Sequence, residues 1–476
     1  MFRVKKGVAT DALLITPPLV QMNAPYPAAA CLCGHLRRAG LRAVQEDLSL
    51  ALVLRLFSSD GVARVAAAVA RRRLRRPTAS VAHFLRHAET YRATAGLVIR
   101  FLQGRDSTLA CRIAGRAFLP EGPRFAALET AAGGGGGGMP PEARDDVAKY
   151  VAGLYLDDLA DAIREGLDPW FGFARYADHL AGALPEAAPL LRAVADDTSL
   201  IGGMIDTLAR EALARHRPRV VGITAPFPGT VYGAFRIARQ IRRLAPAVTL
   251  ALGGGYVNTE LRELDDPRVF DVFDYVCLDD GEEPLARIAC GEKPSNAFSR
   301  RAGKVVFTAP APAAAPAPPG CPDYAGVAFD AYPAVVESPN PMHRIWSDGA
   351  WIKLPLTHGC HWHRCRFCDL ALGAIGRFAQ PSAVAVVDTL ERLCAETGRT
   401  GFHFTDEALP PALLRRMAEE ILRRGLAVSW WGNVRFERAF TPALAARLAA
   451  SGCVAVTGGI ECAQERLLAL MEKGIT

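Results

Sequence analysis

Three cysteines lie within nine residues of this chain, directly after the apolar run Ile352 to Leu356. Cys360, Cys365 and Cys368 are separated by four and then by two residues. A disulfide uses two sulfurs and leaves the third over, whereas a cuboidal iron–sulfur cluster has four iron corners and can be held by three thiolates with one iron left free. Three thiolates so close on one loop therefore predict a metal centre.

The same loop also contains side chains that a zinc ion could use. His358, His361 and His363 could each supply the fourth ligand of a closed tetrahedral zinc site. Three unrelated buried thiols are a further interpretation, but a loop this rich in His and Arg is a poor place to bury them. The residues alone leave the choice open between an iron–sulfur cluster and zinc.

Composition bounds the class of protein. A chain of 476 residues, half of them hydrophobic, with a net charge of +7, is typical of a soluble globular protein with two or three domains. The charge is diffuse, and its densest basic run, Arg71 to Arg76, continues a helical pattern, so no nucleic-acid partner is indicated. Twelve scattered cysteines favour a reducing compartment, and no apolar run reaches the roughly 18 residues of a membrane span. We expect a cytoplasmic protein.

Alternating strand and helix patterns occupy both ends of the N-terminal part. Buried strands are predicted at Ala12 to Thr16, Leu41 to Glu46, Val220 to Thr224, Val248 to Leu252 and Tyr275 to Leu278. Helices are predicted at Ala28 to Ala39 and Val231 to Leu244. Five strands with helices between them predict a doubly wound parallel α/β sheet, which binds ligands beyond the carboxyl ends of its strands.

A long helical segment, from about Leu50 to Leu200, interrupts this pattern. The glycine run Gly133 to Gly138 within it predicts a flexible loop, because six successive glycines lose much conformational entropy on ordering. An anion-binding glycine loop is the alternative, but the run lacks the preceding strand and the following Lys-Ser/Thr of such a loop. The aromatic patch at Trp170 to Phe173, with Tyr176, is interpreted as core packing rather than a ligand wall. Alternating Ala and Pro at Ala309 to Pro319 predict an extended spacer.

After the cysteine loop, strand and helix alternate again. Strands are predicted at Gly401 to Thr405, Ala427 to Trp431 and Val454 to Thr457, and helices at Pro381 to Glu396, Pro411 to Arg424 and Pro442 to Ala450. Polar residues follow each strand, as on the active face of a parallel barrel. Only about four strand–helix units are present from Ile352 onward, so we expect a partial barrel with an open edge at Val454 to Thr457.

The cysteine spacing, with Phe367 just before the last cysteine, resembles the cluster loop of radical S-adenosylmethionine (SAM) enzymes. The commonest form of that loop has three residues in the first gap, and the four found here resemble a variant from the cobalamin-associated branch. The resemblance implies that Cys360, Cys365 and Cys368 hold a 4Fe-4S cluster. It also implies SAM contacts, with Phe367 beside the adenine, Asp406 or Glu407 on the methionine amino group, and Arg435 and Glu461 on the carboxylate or ribose. A surface ion pair is the alternative for Arg435 and Glu461.

The N-terminal sheet resembles the flavodoxin-like cobalamin-binding domain that precedes the barrel in that branch. The Gly-Gly turn followed by an aromatic and the ending Asp280-Gly281-Glu282-Glu283-Pro284 carry this resemblance. It implies cobalamin contacts from Thr224, Gly253, Gly254, Gly255 and Tyr256. No Asp-x-His-x-x-Gly sequence follows the first strand, so we expect no cobalt-ligating histidine from Pro17 to Pro27. A fold that binds no corrin is the alternative.

Together these features predict an α/β protein, with a doubly wound parallel sheet that carries a helical insertion, followed by a partial (β/α) radical SAM barrel. The predicted divisions are 1–58 and 201–300 for the cobalamin-binding-like domain, 59–200 for the insertion, 301–345 for the linker and 346–476 for the partial barrel.

The resemblance implies an enzyme in which the reduced cluster cleaves SAM to a 5′-deoxyadenosyl radical, and its commonest outcome is cobalamin-dependent methyl transfer to an unactivated carbon. The implied partners are a small-molecule or peptide substrate and an electron donor such as flavodoxin or ferredoxin. Radical cyclisation or rearrangement and a non-catalytic, zinc-stabilised binding protein are the alternatives.

Overall fold

The computed structural model describes residues 10–126, 128, 144–173, 187–310, 318–335, 345, 349 and 351–475. Their strands form two sheets. The strands of the first sheet are β1 (Ala12–Thr16), β2 (Ala43–Asp47), β3 (Val220–Thr224), β4 (Thr249–Gly253), β5 (Tyr275–Cys277), β6 (Ala297–Arg301) and β7 (Lys304–Thr308). The strands of the second sheet are β8 (Ile352–Leu354), β9 (Gly401–Phe404), β10 (Ser429–Asn433) and β11 (Cys453–Thr457).

The first sheet has the order β2-β1-β3-β4-β5-β6-β7, and its first five strands are parallel. This confirms the predicted doubly wound sheet, whose strand order reverses between β1 and β3. Helices on its two faces and at its strand ends are Pro27–Arg38, Pro228–Leu244, Gly255–Glu260 and Glu282–Ala289. The order brings the ends of β1, β3 and β4 together, where such sheets bind ligands.

The hairpin of β6 and β7 was not predicted from the sequence. It adds two antiparallel strands to β5, so the sheet continues to Thr308. The predicted linker boundary at residue 300 falls within this hairpin. The hairpin lies at a sheet edge and is held by backbone pairing, so it does not need the apolar pattern that marks a buried strand.

The predicted helical segment between β2 and β3 is confirmed. Its helices are Leu48–Leu56, Ser59–Arg71, Ala79–Arg86, Ala88–Leu102, Leu109–Ala114, Arg144–Gly166, Ala187–Ala195 and Leu200–His216. Phe171 is buried and Phe173 packs 5.4 Å from Phe57, as core packing predicts, whereas Trp170 is exposed. The glycine run Gly133 to Gly138 and Tyr176 lie outside the described residues, as does most of the Ala-Pro spacer.

The second sheet is parallel throughout, with the order β11-β10-β9-β8. Its helices are Gly373–Gly376, Ala383–Thr397, Pro411–Arg424, Pro442–Ala450 and Glu465–Leu470. The helices Ala383–Thr397 and Pro411–Arg424 end at Gly398 and Gly425, both in the left-handed conformation.

Within the described residues this sheet does not close, and β11 lies at its edge with Val454 half exposed. The predicted open edge is confirmed. None of the helices in the described part of the chain combines the length and the apolar character of a membrane span.

Candidate cofactor sites

The cysteine loop follows β8 at the carboxyl edge of the second sheet. Cys365 is buried, and Cys360 and Cys368 are partly buried. The Cys368 amide donates a hydrogen bond to the Cys365 carbonyl at 3.1 Å. Burial raises the pKa of the Cys368 thiol, and the neighbouring Cys365 and Cys360 raise it further, so the three thiols are electrostatic neighbours. The donor set is three sulfurs on one short loop, which fits a cluster that binds one thiolate at each of three iron corners.

The histidines that could have completed a zinc site have other partners. His358 pairs through Nε2 with Asp280 at 2.9 Å, and His361 pairs through Nε2 with Glu437 at 2.7 Å and through Nδ1 with the Ala408 carbonyl at 3.1 Å. His363 Nδ1 contacts the Cys360 carbonyl at 3.0 Å. Across the described residues, no three His, Cys, Asp or Glu side chains meet in the arrangement of a single-ion site. In the described structure these histidines therefore do not complete a single-ion site with the cysteines.

Asp406, predicted to contact the methionine amino group, is a buried link between β9 and the start of the cysteine loop. Its carboxylate accepts hydrogen bonds from the Leu356 amide at 2.9 Å and from the Thr357 amide and hydroxyl, both at 2.6 Å. Burial raises the pKa of Asp406 despite these bonds. Both carboxylate oxygens are therefore engaged in holding the loop, whereas the neighbouring Glu407 is exposed.

Arg435 follows β10 at the same edge and lies almost entirely inside the protein. Its guanidinium stands 4.2 Å over the Trp362 ring, and its Nε donates to Glu437 Oε1 at 3.1 Å. Its Nη2 donates to the Lys473 carbonyl at 2.5 Å. Its Nη1 is buried and has no hydrogen-bond partner among the described residues. A buried guanidinium with a spare donor is suited to bind an anionic group.

Lys473 was not predicted as a site residue, because nothing in the sequence marks this lysine. It is buried, and its ammonium lies 2.9 Å from Glu461 Oε1 and 5.3 Å from the centroid of the Phe367 ring. Its charge also lowers the pKa of Cys368, which is raised overall by burial. Lys473 thus lies close to Phe367 and Glu461 and acts electrostatically on Cys368. Glu461 is far from Phe367 and Cys368 in the sequence and follows a different strand. Half of the Phe367 ring surface is exposed.

A cavity of about 210 Å³ opens at the carboxyl ends of the first sheet. Its walls come from β1, β3, β4 and β5 and from the helices Pro27–Arg38 and Glu282–Ala289. Three of the predicted cobalamin residues, Thr224, Gly253 and Gly254, line it, whereas Gly255 and Tyr256 do not. The Thr224 hydroxyl is buried without a hydrogen-bond partner in the described structure. An unpaired buried hydroxyl is costly unless a bound group satisfies it, which fits a polar ligand at this wall.

The three consecutive glycines that end and follow β4 differ in the space that each leaves for a side chain. Gly254 has a φ of +111°, and a Cβ there would lie 2.7 Å from the Ala225 carbonyl oxygen. A Cβ on Gly255 would lie 2.8 Å from the Pro226 carbonyl oxygen. On Gly253 a Cβ would meet only the Cys277 carbonyl oxygen, at 3.7 Å. Chain packing therefore requires glycine at 254 and 255 but leaves room at 253, on the cavity wall.

The cavity also has acidic and thiol groups that were not predicted as contacts. Cys31, Asp279, Asp280 and Glu282 line it, and burial raises the pKa of Glu282. No histidine is among the described residues that line it. Asp280 is in addition the partner of His358, so one carboxylate both lines the cavity and contacts the start of the cysteine loop.

The fold and these two sites define an α/β protein with a cavity in one mostly parallel sheet and a cysteine loop at the carboxyl edge of a second, parallel sheet. No family model matches the chain. It is 26% identical over 298 residues to the uncharacterized methyltransferase PH0819 of Pyrococcus horikoshii. The aligned residues cover 59% of this chain and 60% of the relative. The chain thus spans about three fifths of that curated relative's length.

Two solved structures of one protein are also similar to the chain. They are of the radical S-adenosylmethionine methyltransferase TsrM from Kitasatospora setae, one with tryptophan substrate and a SAM analog and one with cobalamin and a [4Fe-4S] cluster. Each is 22% identical, with a TM-score of 0.42, over 57% of this chain and 54% of that chain. Both proteins are named as methyltransferases.

Proposed function

We propose that this protein is a radical SAM enzyme that uses a 4Fe-4S cluster and cobalamin to transfer a methyl group to an unactivated carbon. The observation that carries the proposal is the cysteine loop. It places three neighbouring thiols at the carboxyl edge of a parallel sheet, with two of its histidines engaged elsewhere and a ligand cavity behind it. Cys360, Cys365 and Cys368 would hold the cluster.

The SAM contacts follow from the groups available at that edge. Phe367 offers an exposed ring for the adenine, and the spare donor of Arg435 suits the methionine carboxylate. Glu407 is the better candidate for the amino group, because the carboxylate of Asp406 is already engaged. Glu461, held by Lys473, would face the ribose. When bound, the cluster and SAM supply a 5′-deoxyadenosyl radical, and cobalamin carries the methyl group.

Cobalamin would lie against the cavity wall in the first sheet. Gly253 leaves space there for a flat ligand, and the Thr224 hydroxyl offers it a hydrogen bond. The curated relative is named a methyltransferase, which supports methyl transfer over the cyclisation alternative. The substrate would be a small molecule or peptide, and a flavodoxin or ferredoxin would supply electrons.

Anaerobic purification with iron, sulfide, zinc and cobalt analysis tests the proposal, together with mass spectrometry for 5′-deoxyadenosine after addition of SAM and a reductant. We expect about four irons per chain and SAM-dependent 5′-deoxyadenosine. Cys365→Ala should abolish both, whereas Cys394→Ala, which removes a partly buried thiol from the helix Ala383–Thr397, should leave both intact. One zinc per chain without iron would refute the enzyme and leave a zinc-stabilised binding protein.

A further inference from the structure

We infer that Asp280 is a positioning residue that fixes the cysteine loop against the cavity and so sets the separation of the two cofactors. This inference rests on the proposed function, because it concerns the same two sites. It goes further by naming the group that couples them.

The carboxylate of Asp280 connects the two sites directly. Asp280 lines the cavity in the first sheet. Its Oδ1 is 2.9 Å from His358 Nε2, and its Oδ2 accepts a hydrogen bond from Arg377 Nη2 at 3.3 Å. Each oxygen therefore contacts a different residue from the base of the cysteine loop.

His358 and Arg377 belong to two arms of the loop that are tied to each other. The His358 amide donates to the Ala379 carbonyl at 2.8 Å, and the Ala379 amide donates back at 3.0 Å. Gly359, with a φ of +72°, packs so closely on the Arg377 carbonyl oxygen that a Cβ would overlap it. All three cysteines lie between these arms. A contact that holds both arms thus fixes the base of the whole loop.

The chain just before Asp280 is held firmly by the first sheet domain. Asp279 has a φ of +56°, its amide donates to Asn258 Oδ1 at 2.7 Å, and its carboxylate accepts a hydrogen bond from Asn296 Nδ2 at 3.1 Å. It also pairs with Arg262. The backbone next to Asp280 is therefore held in place by the first sheet domain. Contacts from Asp280 to the cysteine loop can thus hold the loop at a fixed distance from the cavity wall.

Exposure argues that this contact contributes position rather than stability. The Asp280 and Arg377 side chains are each about half exposed, although His358 is mostly buried, so solvent screening at the carboxylate limits what these contacts contribute to folding. Replacing Asp280 should therefore leave a folded protein with both sites present but less precisely placed.

Magnetic coupling between the reduced cluster and bound cob(II)alamin, measured by electron paramagnetic resonance (EPR), tests the inference in the holoenzyme. Dipolar coupling falls with the cube of the distance between the two spins, so it reports their separation without turnover. We expect Asp280→Ala to weaken the dipolar coupling or to broaden the distribution of its values, while the content of cluster and cobalamin stays unchanged. Arg377→Gln, which removes one of the two loop contacts, should show a smaller change in the same direction.

Asp330→Asn is the matched control, because it breaks an exposed ion pair with Arg399 away from both sites. It should leave the coupling as in the wild type. Wild-type coupling in both Asp280→Ala and Arg377→Gln, with both cofactors bound, would overturn the inference and leave the proposed function standing. Failure of the wild-type protein to bind cluster or cobalamin would overturn both. If Asp280→Ala does not fold, wild-type coupling in Arg377→Gln alone would decide against the inference.

Discussion

The ammonium of Lys473 lies 2.9 Å from the Glu461 carboxylate and 5.3 Å from the centroid of the Phe367 ring. Glu461 has a φ of +64°, so its backbone is held in a conformation that costs energy for a side chain other than glycine. The lysine thus fixes two residues that are candidates for SAM binding. Phe367 follows β8 and Glu461 follows β11, and neither contact with Lys473 could be predicted from the sequence.

Lys473→Met should weaken SAM binding. The methionine keeps the apolar stem but removes the charge that holds Glu461, and we expect the dissociation constant of SAM for the cluster-containing protein to rise about tenfold, or roughly 1.4 kcal/mol. Equilibrium binding measured with and without the substitution checks this. Lys293→Met, at an exposed lysine of the first domain, should have no effect. Equal SAM affinity in wild type and Lys473→Met would contradict the role given to Lys473.

Gly253→Ala and Gly254→Ala should separate ligand binding from folding. A methyl group at 253 has room in the chain but projects at the cavity wall, so cobalamin affinity should fall while the melting temperature stays unchanged. A methyl group at 254 meets the backbone of Ala225 at a positive φ and should destabilise the protein by about 1–3 kcal/mol. Thermal unfolding and cobalamin titration check both. Equal loss of stability in the two variants would contradict this division.

Asp406→Asn should lower the stability of the protein, whereas Glu407→Gln should lower its affinity for SAM. The asparagine cannot accept all three hydrogen bonds from Leu356 and Thr357, which leaves buried donors unpaired and costs about 1–3 kcal/mol. Glu407 is exposed, so Glu407→Gln should keep stability and weaken SAM binding. Chemical denaturation and SAM titration measure the two effects. A stable Asp406→Asn variant with weakened SAM affinity would instead favour Asp406 as the direct contact.

Lys353 makes stability depend on pH in the alkaline range. Lys353 lies in β8, and its buried ammonium is 3.3 Å from Gln21 Oε1. Burial lowers the pKa of Lys353 from 10.5 to about 8, although the charge of Asp47 opposes this. The unfolded chain therefore binds this proton more tightly than the folded protein does. Burying the charged ammonium lowers the free energy of unfolding by its full amount below about pH 8. This destabilisation disappears as the pH rises to 10.5.

The free energy of unfolding of the wild type should accordingly gain up to roughly 3 kcal/mol from this group between those pH values. Lys353→Met should be more stable at pH 7 and should lack this gain, whereas Lys304→Met, at an exposed lysine, should keep it. Denaturation at pH 7 and pH 10 measures the difference. The same pH dependence in wild type and Lys353→Met would contradict the burial of a charged lysine.

Local sequence patterns were sufficient where one element decides its own structure. β1 and β3 were predicted with their observed bounds, because each is a short apolar run that begins after a charged residue and ends shortly before a proline. The helix Pro411–Arg424 was also predicted with its observed bounds, since proline marks its start and Gly425 its end. The β6–β7 hairpin was missed because neither of its strands alternates regularly between apolar and polar residues.

Contacts between distant parts of the chain were beyond sequence reasoning. His358 and Asp280 are 78 residues apart, and both resemble ordinary surface residues until the two sheets are placed together. Asp406 was correctly placed at the end of β9, but a strand-end carboxylate looks the same whether it binds a ligand or a neighbouring loop. Only the positions of Leu356 and Thr357 show that its oxygens are already engaged.

EPR spectroscopy of anaerobically purified, reduced protein, recorded with and without SAM, tests the central claim most directly. We expect the signal of a reduced 4Fe-4S cluster that shifts when SAM is added, because SAM would bind the iron that no cysteine holds. The signal should be absent from a variant in which Cys360, Cys365 and Cys368 are all alanine. A protein that contains zinc and gives no iron–sulfur signal, or a cluster whose signal is unchanged by SAM, would contradict the account.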